Sequence, residues 1–118
     1  MECSFLMAFI VKARSNGEII ASAQDHQSMR VFEGNWYFKP EAVNMQNLKI
    51  TDRTYTCPYK GICYWIDLEM PDGTKTENIA WIAPNPKPTY SFVKDQIAFY
   101  SRPTSATVSE NTPAATAS

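Results

Sequence analysis

The segment TYTCPYKGICYW, residues 54–65, concentrates the side chains of this chain that could do chemistry. Within it, Pro58 favours an extended conformation at Cys57, and Gly61 permits a positive φ or a close approach of another backbone segment. The segment is therefore predicted to be a tight bend with Lys60 at its apex. An ammonium close to Cys57 would favour the thiolate, so the bend could supply a nucleophile or an anion-binding corner.

Covalent catalysis at this bend lacks an obvious base in the sequence. A cysteine nucleophile normally needs a base, and the only histidine, His26, lies in the polar segment SAQDHQS, which is predicted to be an exposed loop. The alternative is structural, because free cysteines are among the most buried residues and lysines in small turns often point to water. We expect Lys60 to contact a ligand in preference to Cys57 attacking one, with Cys57 as a wall of the site.

The motifs of metal and nucleotide sites are absent from the sequence. The three cysteines, Cys3, Cys57 and Cys63, form no C-x-x-C pair, and a tetrahedral zinc site needs four ligands. No Walker loop, G-x-G-x-x-G or G-x-S-x-G pattern occurs. We therefore expect neither a metal nor a cofactor. The odd number of cysteines gives no disulfide framework, which fits a reducing compartment such as the cytoplasm.

Length and charge limit the classes of partner. The chain has 118 residues and a formal net charge of −1, and no basic stripe appears, so nucleic acid is not an expected partner. The apolar run FLMAFIV, Phe5 to Val11, is too short to span a bilayer and is predicted to be a buried strand. Residues 1–102 are predicted to form a single domain. The segment 103–118 is predicted to be a disordered Ser/Thr/Ala/Pro-rich tail, because it offers little apolar surface to bury.

The elements that position the bend are predicted to be short antiparallel strands. Two strands flank Asn16-Gly17, the favoured pair of a type I′ hairpin turn, and MRVFE is strand-like before a turn at Gly34-Asn35. LKITDRTYT leads into the bend, GICYWIDLEM leaves it, and TKTENIAWIA follows the turn PDG as a partner strand. One or two short helical turns at most are predicted, at KPEAV and TYSFVKD. The fold class is therefore mainly β.

The strand that leaves the bend has two different faces, because side chains alternate along a strand. One face is almost wholly apolar and is predicted to lie on the core; it holds Ile62, Tyr64, Ile66, Leu68 and Met70. The opposite face begins apolar with Cys63 and Trp65. It ends with the carboxylates of Asp67 and Glu69, which are predicted to be its solvated end. A face that changes character in this way suggests a covered pocket at one end and solvent at the other.

Two indoles could line one cavity on that second face. If the strand register places Trp81 beside Trp65, both rings lie on the same side of the sheet, but register cannot be fixed from sequence. The alternative is that both indoles simply pack in a core, since large aromatic side chains are mostly inside.

Four segments resemble those of domain-of-unknown-function family 427, a family often filed under a nucleotidyltransferase-like label. They are VFEGNWYFKPEAV (31–43), DRTYTCPYKG (52–61), AW (80–81) and IAFY (97–100). The resemblance covers residues 8 to 101 and implies a β-tent, Mss4-like architecture of antiparallel sheets. It carries the family pattern onto Tyr37, Asp52, Thr54, Cys57, Pro58, Lys60, Gly61, Trp65, Trp81, Ala98 and Phe99.

Besides Trp65, an aromatic-for-aromatic change from the usual Tyr, the chain departs from the family pattern at three positions. Cys63 stands where the family usually has Ala, Ala83 where Tyr is common, and Asp95 where Gly is common. Aspartate tolerates the left-handed backbone conformation better than most residues, so the fold can accommodate Asp95. Ala83 removes an aromatic hydroxyl from the expected pocket.

Three functions remain open from the sequence. The first is a small-ligand-binding module whose aromatic-lined pocket has a lysine at its edge; its residues would be Tyr37, Cys57, Lys60, Trp65 and Trp81. Such a pocket suits a flat ring or a cationic group. The second is an enzyme, either of transferase type or dependent on Cys57, and the third is a protein-interaction module without a small ligand. We expect no nucleic-acid or membrane partner, and a monomer or a homodimer.

Overall fold

The computed structural model describes residues 7–24, 28–58 and 60–113, which form two antiparallel sheets. The strands are β1 Met7–Ala13, β2 Ile19–Gln24, β3 Met29–Phe32, β4 Asn35–Phe38, β5 Leu48–Cys57, β6 Gly61–Glu69, β7 Lys75–Ile82, β8 Ile97–Phe99 and β9 Thr107–Pro113. The smaller sheet has the order β2-β1-β9, and the larger has the order β3-β4-β8-β7-β6-β5. The predicted mainly β class is confirmed.

Short 3-10 helices occur where the sequence predicts helical turns, at Pro40–Ala42 and Pro88–Val93. Both have a proline in the first turn, where its missing N–H is tolerated. No helix in the described part of the chain has the length and apolarity needed to cross a membrane.

The predicted hairpin at Asn16-Gly17 forms, but its turn differs from the predicted type I′ turn. β1 and β2 pair antiparallel up to Lys12 opposite Ile19, so the loop is longer than two residues. Of the two turn residues, only Gly17 has a positive φ, of 74°. The side chain of Asn16 instead accepts a hydrogen bond from the N–H of Glu18, at 2.9 Å, which stabilises the longer loop.

The prediction of a disordered tail from residue 103 fails for the last strand. β9 pairs with β1 along the whole length of β1, from Met7 opposite Pro113 to Ala13 opposite Thr107. The segment has few large apolar side chains, but its backbone saturates the second edge of β1 and the side chain of Thr107 is buried. Composition alone missed this pairing because the ladder supplies hydrogen bonds that do not depend on side-chain type. Residues 114–118 of the predicted tail lie outside the described residues.

Each face of the larger sheet carries its own core. The side chains of Trp36 and Phe38 lie in an inter-sheet core with Phe9 and Val11 of β1. The side chain of Tyr37, between them in β4, lies in a second cluster on the opposite face, as the alternation of a strand requires. This second cluster is called the aromatic cluster below.

The predicted core face of β6 is only partly correct. Ile66, Leu68 and Met70 belong to the inter-sheet core, whereas Ile62 is 51% exposed. Tyr64 is half-buried, so full burial on this face begins at Ile66. The core packing of β6 therefore lies toward its carboxyl-terminal end.

Two neighbouring bulges distort the sheet on either side of β6. The β5–β6 register passes from Ile50 opposite Ile66 to Thr54 opposite Tyr64, so β5 carries extra residues facing Trp65. The β6–β7 register also shifts next to Ile66, so β7 carries extra residues facing the next position of β6. Bulges bend and twist a strand locally and commonly lie beside functional sites.

Candidate functional site

The bend between β5 and β6 is a tight turn, as predicted from Pro58 and Gly61. Cys57 and Gly61 are directly paired across it. Gly61 has a φ of 77°, and a Cβ added there would lie 3.0 Å from the carbonyl oxygen of Asn85. Gly61 therefore satisfies both expectations, a positive φ and a close backbone approach.

Lys60 points into the protein, so the alternative of a lysine directed to water is wrong. It is only 4% exposed. Its Nζ donates to Glu33 Oε1 at 2.5 Å and to Cys57 Sγ at 3.2 Å, and it lies 5.7 Å from the ring centroid of Phe32. The carboxylate, the thiol and the ring together compensate the cost of removing an ammonium from water.

Glu33 is a site residue that the sequence analysis did not single out. It forms a two-residue hairpin turn with Gly34, and both residues have a positive φ, of 55° and 77° respectively. The turn therefore lies one residue earlier than predicted, because Asn35 already belongs to β4 and pairs with Phe32. A Glu-Gly pair between two apolar strands was the available signal, since this turn requires positive φ at both positions.

The ammonium of Lys60 is strongly retained. Burial alone would lower the pKa of Lys60, but the hydrogen bonds to Glu33 and then to Cys57 outweigh burial, so the pKa rises above its ordinary value. Lys60 is consequently a cation at neutral pH. An ammonium at this distance from a sulfur is the geometry that stabilises a thiolate.

The two indoles occupy the same face of the sheet. Trp65 and Trp81 are direct cross-strand partners, and their ring centroids lie 6.0 Å apart. Trp81 is buried, and its Nε1 donates to the hydroxyl of Tyr37 at 3.4 Å. Trp65 is half-buried at the margin of the cluster. The strand register therefore places Trp81 beside Trp65, as the shared-cavity hypothesis requires. Of the two alternatives, core packing describes Trp81, whereas Trp65 borders solvent and is free to line a pocket.

Half-buried aromatic rings surround this pair, and the sequence analysis did not assign them to the site. The rings are Phe32, Tyr55, Tyr90, Phe92 and Tyr100. Tyr55 lies 4.9 Å from Trp65 between ring centroids, and Tyr100 lies 5.1 Å from Trp81. They come from four separate segments, because Tyr90 and Phe92 share the 3-10 helix Pro88–Val93, so the folding of the chain brings them together.

Hydroxyl and thiol groups inside the cluster are held in their neutral forms. Burial raises the pKa of Tyr37 and of Cys63. Burial also raises the pKa of Tyr55, and its hydrogen bond with Cys63 adds to the shift. The buried charge of this region is therefore that of Lys60, and the rings of the cluster are neutral. The guanidinium groups of Arg30 and Arg102 lie over the outer rings Phe92 and Tyr100, at 4.6 and 4.8 Å from the ring centroids.

The three departures from the family pattern have clear places in the structure. Cys63 and Ala83 are fully or almost fully buried within the aromatic cluster. Asp95 has a φ of 61°, which explains why glycine suits this position. In the described part of the chain, no group of three or more His, Cys, Asp and Glu side chains is arranged to hold a metal ion.

The model of one protein family matches most of the chain. It is named NTP_transf_9, is described as a domain of unknown function (DUF427), and matches residues 8–110. The match confirms the resemblance found in the sequence and extends it into β9. No curated protein matches the chain.

Proposed function

The chain belongs to the DUF427 family, and because that description names no reaction, we propose a function from the site itself: binding of a small ligand at the margin of the aromatic cluster. Trp65 would stack on the ligand, while Tyr37 and Trp81 form the wall behind it. Lys60 and Cys57 would supply the polar corner. The ligand class is a flat ring or a cationic group, because neutral rings beside one charged corner suit both.

The observation that carries this proposal is the buried ammonium of Lys60. A buried ion pair rarely stabilises a fold more than apolar residues of similar volume would, so stability alone does not account for the Lys60–Glu33 pair. Strongly perturbed groups of this kind cluster at functional sites. The pair also lies against the half-buried ring of Phe32, which places the charge where the cluster meets solvent.

A thermal-shift panel tests the proposal. It contains nucleotides, uracil-like rings and quaternary amines, and a ligand at 100 times its Kd should stabilise the fold by about 2.7 kcal/mol. We expect the stabilisation to be lost in Lys60→Met and weakened in Trp65→Leu. Lys94→Met is the matched control, because Lys94 is an exposed lysine whose Nζ pairs with its neighbour Asp95.

Tryptophan fluorescence gives a second, local readout. Trp36 packs against Phe9 in the inter-sheet core, so its emission serves as a constant background for Trp65 and Trp81. The proposal fails if no member of the panel stabilises the wild-type protein at millimolar concentration. It also fails if the stabilisation is equal in wild type and Lys60→Met.

A second candidate function, covalent chemistry at Cys57, rests on the 3.2 Å contact between Lys60 Nζ and Cys57 Sγ. In a Cys3→Ser, Cys63→Ala background, iodoacetamide should label Cys57 faster than free cysteine near pH 7, because the ammonium favours the thiolate. A rate no faster than that of free cysteine would eliminate an activated nucleophile. The nucleotides in the thermal-shift panel test the transferase hypothesis that the family label suggests.

Three further assignments are proposals of the same kind. Two antiparallel sheets are compatible with the β-tent, Mss4-like architecture, and superposition of an experimental structure on β-tent proteins would test it. The odd number of cysteines and the buried thiol of Cys63, which forms no disulfide within the described residues, support a reducing, cytoplasmic location, which fractionation would test. A protein-interaction role predicts a co-purifying protein that is retained by Lys60→Met and lost when exposed residues are changed.

A further inference from the structure

Asp67 is a second buried charge, and the prediction that it belongs to a solvated strand end is wrong. It is 1% exposed. Its Oδ1 accepts hydrogen bonds from the guanidinium of Arg53 and from the backbone N–H of Asn78. Arg53 lies in the bulge of β5 and Asn78 in the bulge of β7, so one carboxylate oxygen joins the two distorted strands.

The bulges are locked in place around this carboxylate. The hydroxyl of Thr51 donates to the carbonyl oxygen of Trp65 at 2.8 Å. Asn78 adopts a φ of 61°, a conformation that asparagine tolerates better than most residues, and its side-chain oxygen accepts from Arg53. Because side-chain hydrogen bonds hold the distorted backbone on both strands, the two bulges are ordered parts of the sheet.

The other oxygen of the same carboxylate lacks a hydrogen-bond donor. Within the residues that the structure describes, Asp67 Oδ2 is buried without a hydrogen-bond partner. The Nζ of Lys75 lies 3.9 Å away, beyond hydrogen-bond range. Buried polar atoms are almost always paired, and an exception calls for an explanation. A ligand that brings a donor to Oδ2 would supply that partner.

A polar cleft opens at this carboxylate. It has a volume of about 330 Å³ and is lined by Lys49, Thr51, Arg53, Asp67 and Lys75, among others. The neighbouring cavity beside Tyr64 and Ile82 lies on the opposite face of the sheet, because Tyr64 and Ile82 are cross-strand partners on the side of the inter-sheet core. The cleft at Asp67 is therefore a polar compartment of its own.

The charges of the cleft have both signs. Lys49 is the cross-strand partner of Asp67, and Lys75 reaches the same carboxylate from β7. A simple cation would meet the repulsion of these two lysines and of Arg53, and a simple anion would meet the carboxylates of Asp52 and Asp67. A ligand carrying both charges on neighbouring atoms avoids both penalties.

We propose that this cleft binds a small zwitterion, an α-amino acid, through its two charged groups. Its ammonium donates to Asp67 Oδ2, and its carboxylate pairs with Lys49 and Lys75. Lys75 is half exposed, so its side chain can move aside to admit the ammonium. The site is separate from the aromatic cluster and does not depend on the function proposed there.

Titration of the 15N-labelled full chain with L-leucine tests the proposal by NMR. We expect saturable amide shifts at residues 49–53, 67 and 75–78. Leucinamide, which lacks the carboxylate, and 4-methylpentanoate, which lacks the ammonium, should each bind at least about tenfold more weakly, the effect of one charged hydrogen bond. The proposal is overturned if L-leucine gives no shifts at millimolar concentration, or if either analogue binds as tightly as L-leucine does.

Two variants localise the binding without removing the buried carboxylate. Lys49→Gln should weaken L-leucine binding about tenfold, while the exposed Lys94→Gln serves as the matched control and should leave it unchanged. Equal binding in Lys49→Gln and wild type would overturn the assignment. Shifts confined to the indole signals of Trp65 and Trp81 would also overturn it, and would instead support the aromatic-cluster site.

Discussion

The larger sheet contains two buried charges whose surroundings differ. Lys60 is held at the end of a hairpin by a carboxylate from a neighbouring turn, next to neutral aromatic rings. Asp67 is held in the middle of β6 by groups from bulges on both flanking strands. Each has a partner that is more than a third exposed, with 39% for the side chain of Glu33 and 38% for that of Arg53.

The difference between Lys60 and Asp67 shows how a tight turn and a bulge each bury a charged side chain. A tight turn needs a few specific residues, and it directs one side chain inward by its own geometry. A bulge depends on the register between two strands and acts on a residue of the neighbouring strand. Lys60 is therefore fixed mainly by its own turn, whereas Asp67 is fixed by the relation of three strands.

The largest effect is expected for Asp67→Ala. It removes the acceptor of both Arg53 and the Asn78 N–H and leaves space behind, so we expect a loss of about 3 kcal/mol in unfolding free energy. The value lies at the low end for a buried pair because Arg53 retains contact with water. Urea denaturation measures it, with the neighbouring half-exposed Glu69→Ala expected to change stability by less than about 0.5 kcal/mol. Equal losses in the two variants would show that Asp67 does not hold the bulges together.

The sequence predicted the Lys60 turn better than the Asp67 cluster for a physical reason. Proline restricts and glycine extends the range of local backbone conformations, so Pro58 and Gly61 predict a bend without knowledge of the rest of the fold. Strict alternation along β6 placed Asp67 on a face that ends in solvent, and nothing in TDR or ENI signalled a bulge. Glu33 was missed for the same reason, because its contact with Lys60 depends on pairing of strands far apart in sequence.

The second effect compares two glycines at positive φ. Gly61→Ala should cost about 2 kcal/mol, because the left-handed conformation is strained for alanine and the new Cβ would press against the Asn85 carbonyl. Gly17→Ala meets the same backbone conformation with nothing within 4 Å, and should cost about 1 kcal/mol. Thermal or urea unfolding of both variants gives the difference. A Gly17→Ala loss as large as that of Gly61→Ala would remove the close contact as a cause.

The third effect concerns the buried ammonium and pH. Lys60→Met keeps the volume of the side chain and leaves Glu33 able to contact water, so we expect a loss of about 1 kcal/mol at neutral pH. The folded-state pKa of Lys60 lies above its ordinary value of 10.5. The stabilisation by Lys60 is therefore complete below that value and declines as pH rises beyond it.

Measuring unfolding free energies of wild type and Lys60→Met across alkaline pH checks this sign. The raised pKa values of Tyr37 and Cys63 also make the fold less stable at high pH in both proteins. The charge of Lys60 lowers both pKa values but is a smaller cause than burial, so we attribute the larger part of the difference between the proteins to Lys60 itself. We expect the difference to shrink as pH rises beyond about 10.5, where the lysine of the unfolded chain loses its proton. A difference that grows above that pH would contradict the buried ammonium.

The smallest effect is expected for Glu33→Asn, which tests whether the charge of Glu33 outweighs the strain of its positive φ. A positive φ costs a glutamate more than an asparagine, so Glu33→Asn relieves strain while breaking the pair with Lys60. In wild type the two effects oppose each other, and we expect a net loss of about 0.5 kcal/mol. In the Lys60→Met background only the relief of strain remains, so the same substitution should stabilise the fold by a similar amount.

A double-mutant cycle on these four proteins measures that change of sign, since it isolates the coupling between the two positions. Gain of stability from Glu33→Asn in both backgrounds would mean that the contact with Lys60 contributes little and that the backbone conformation dominates. Loss in both would mean that Glu33 supports its turn by contacts other than Lys60. If Glu33→Asn destabilises wild type but stabilises Lys60→Met, the contact of Glu33 with Lys60 outweighs the strain of its turn. Glu33 then holds the ammonium of Lys60 in place, as binding of a ligand at this corner requires.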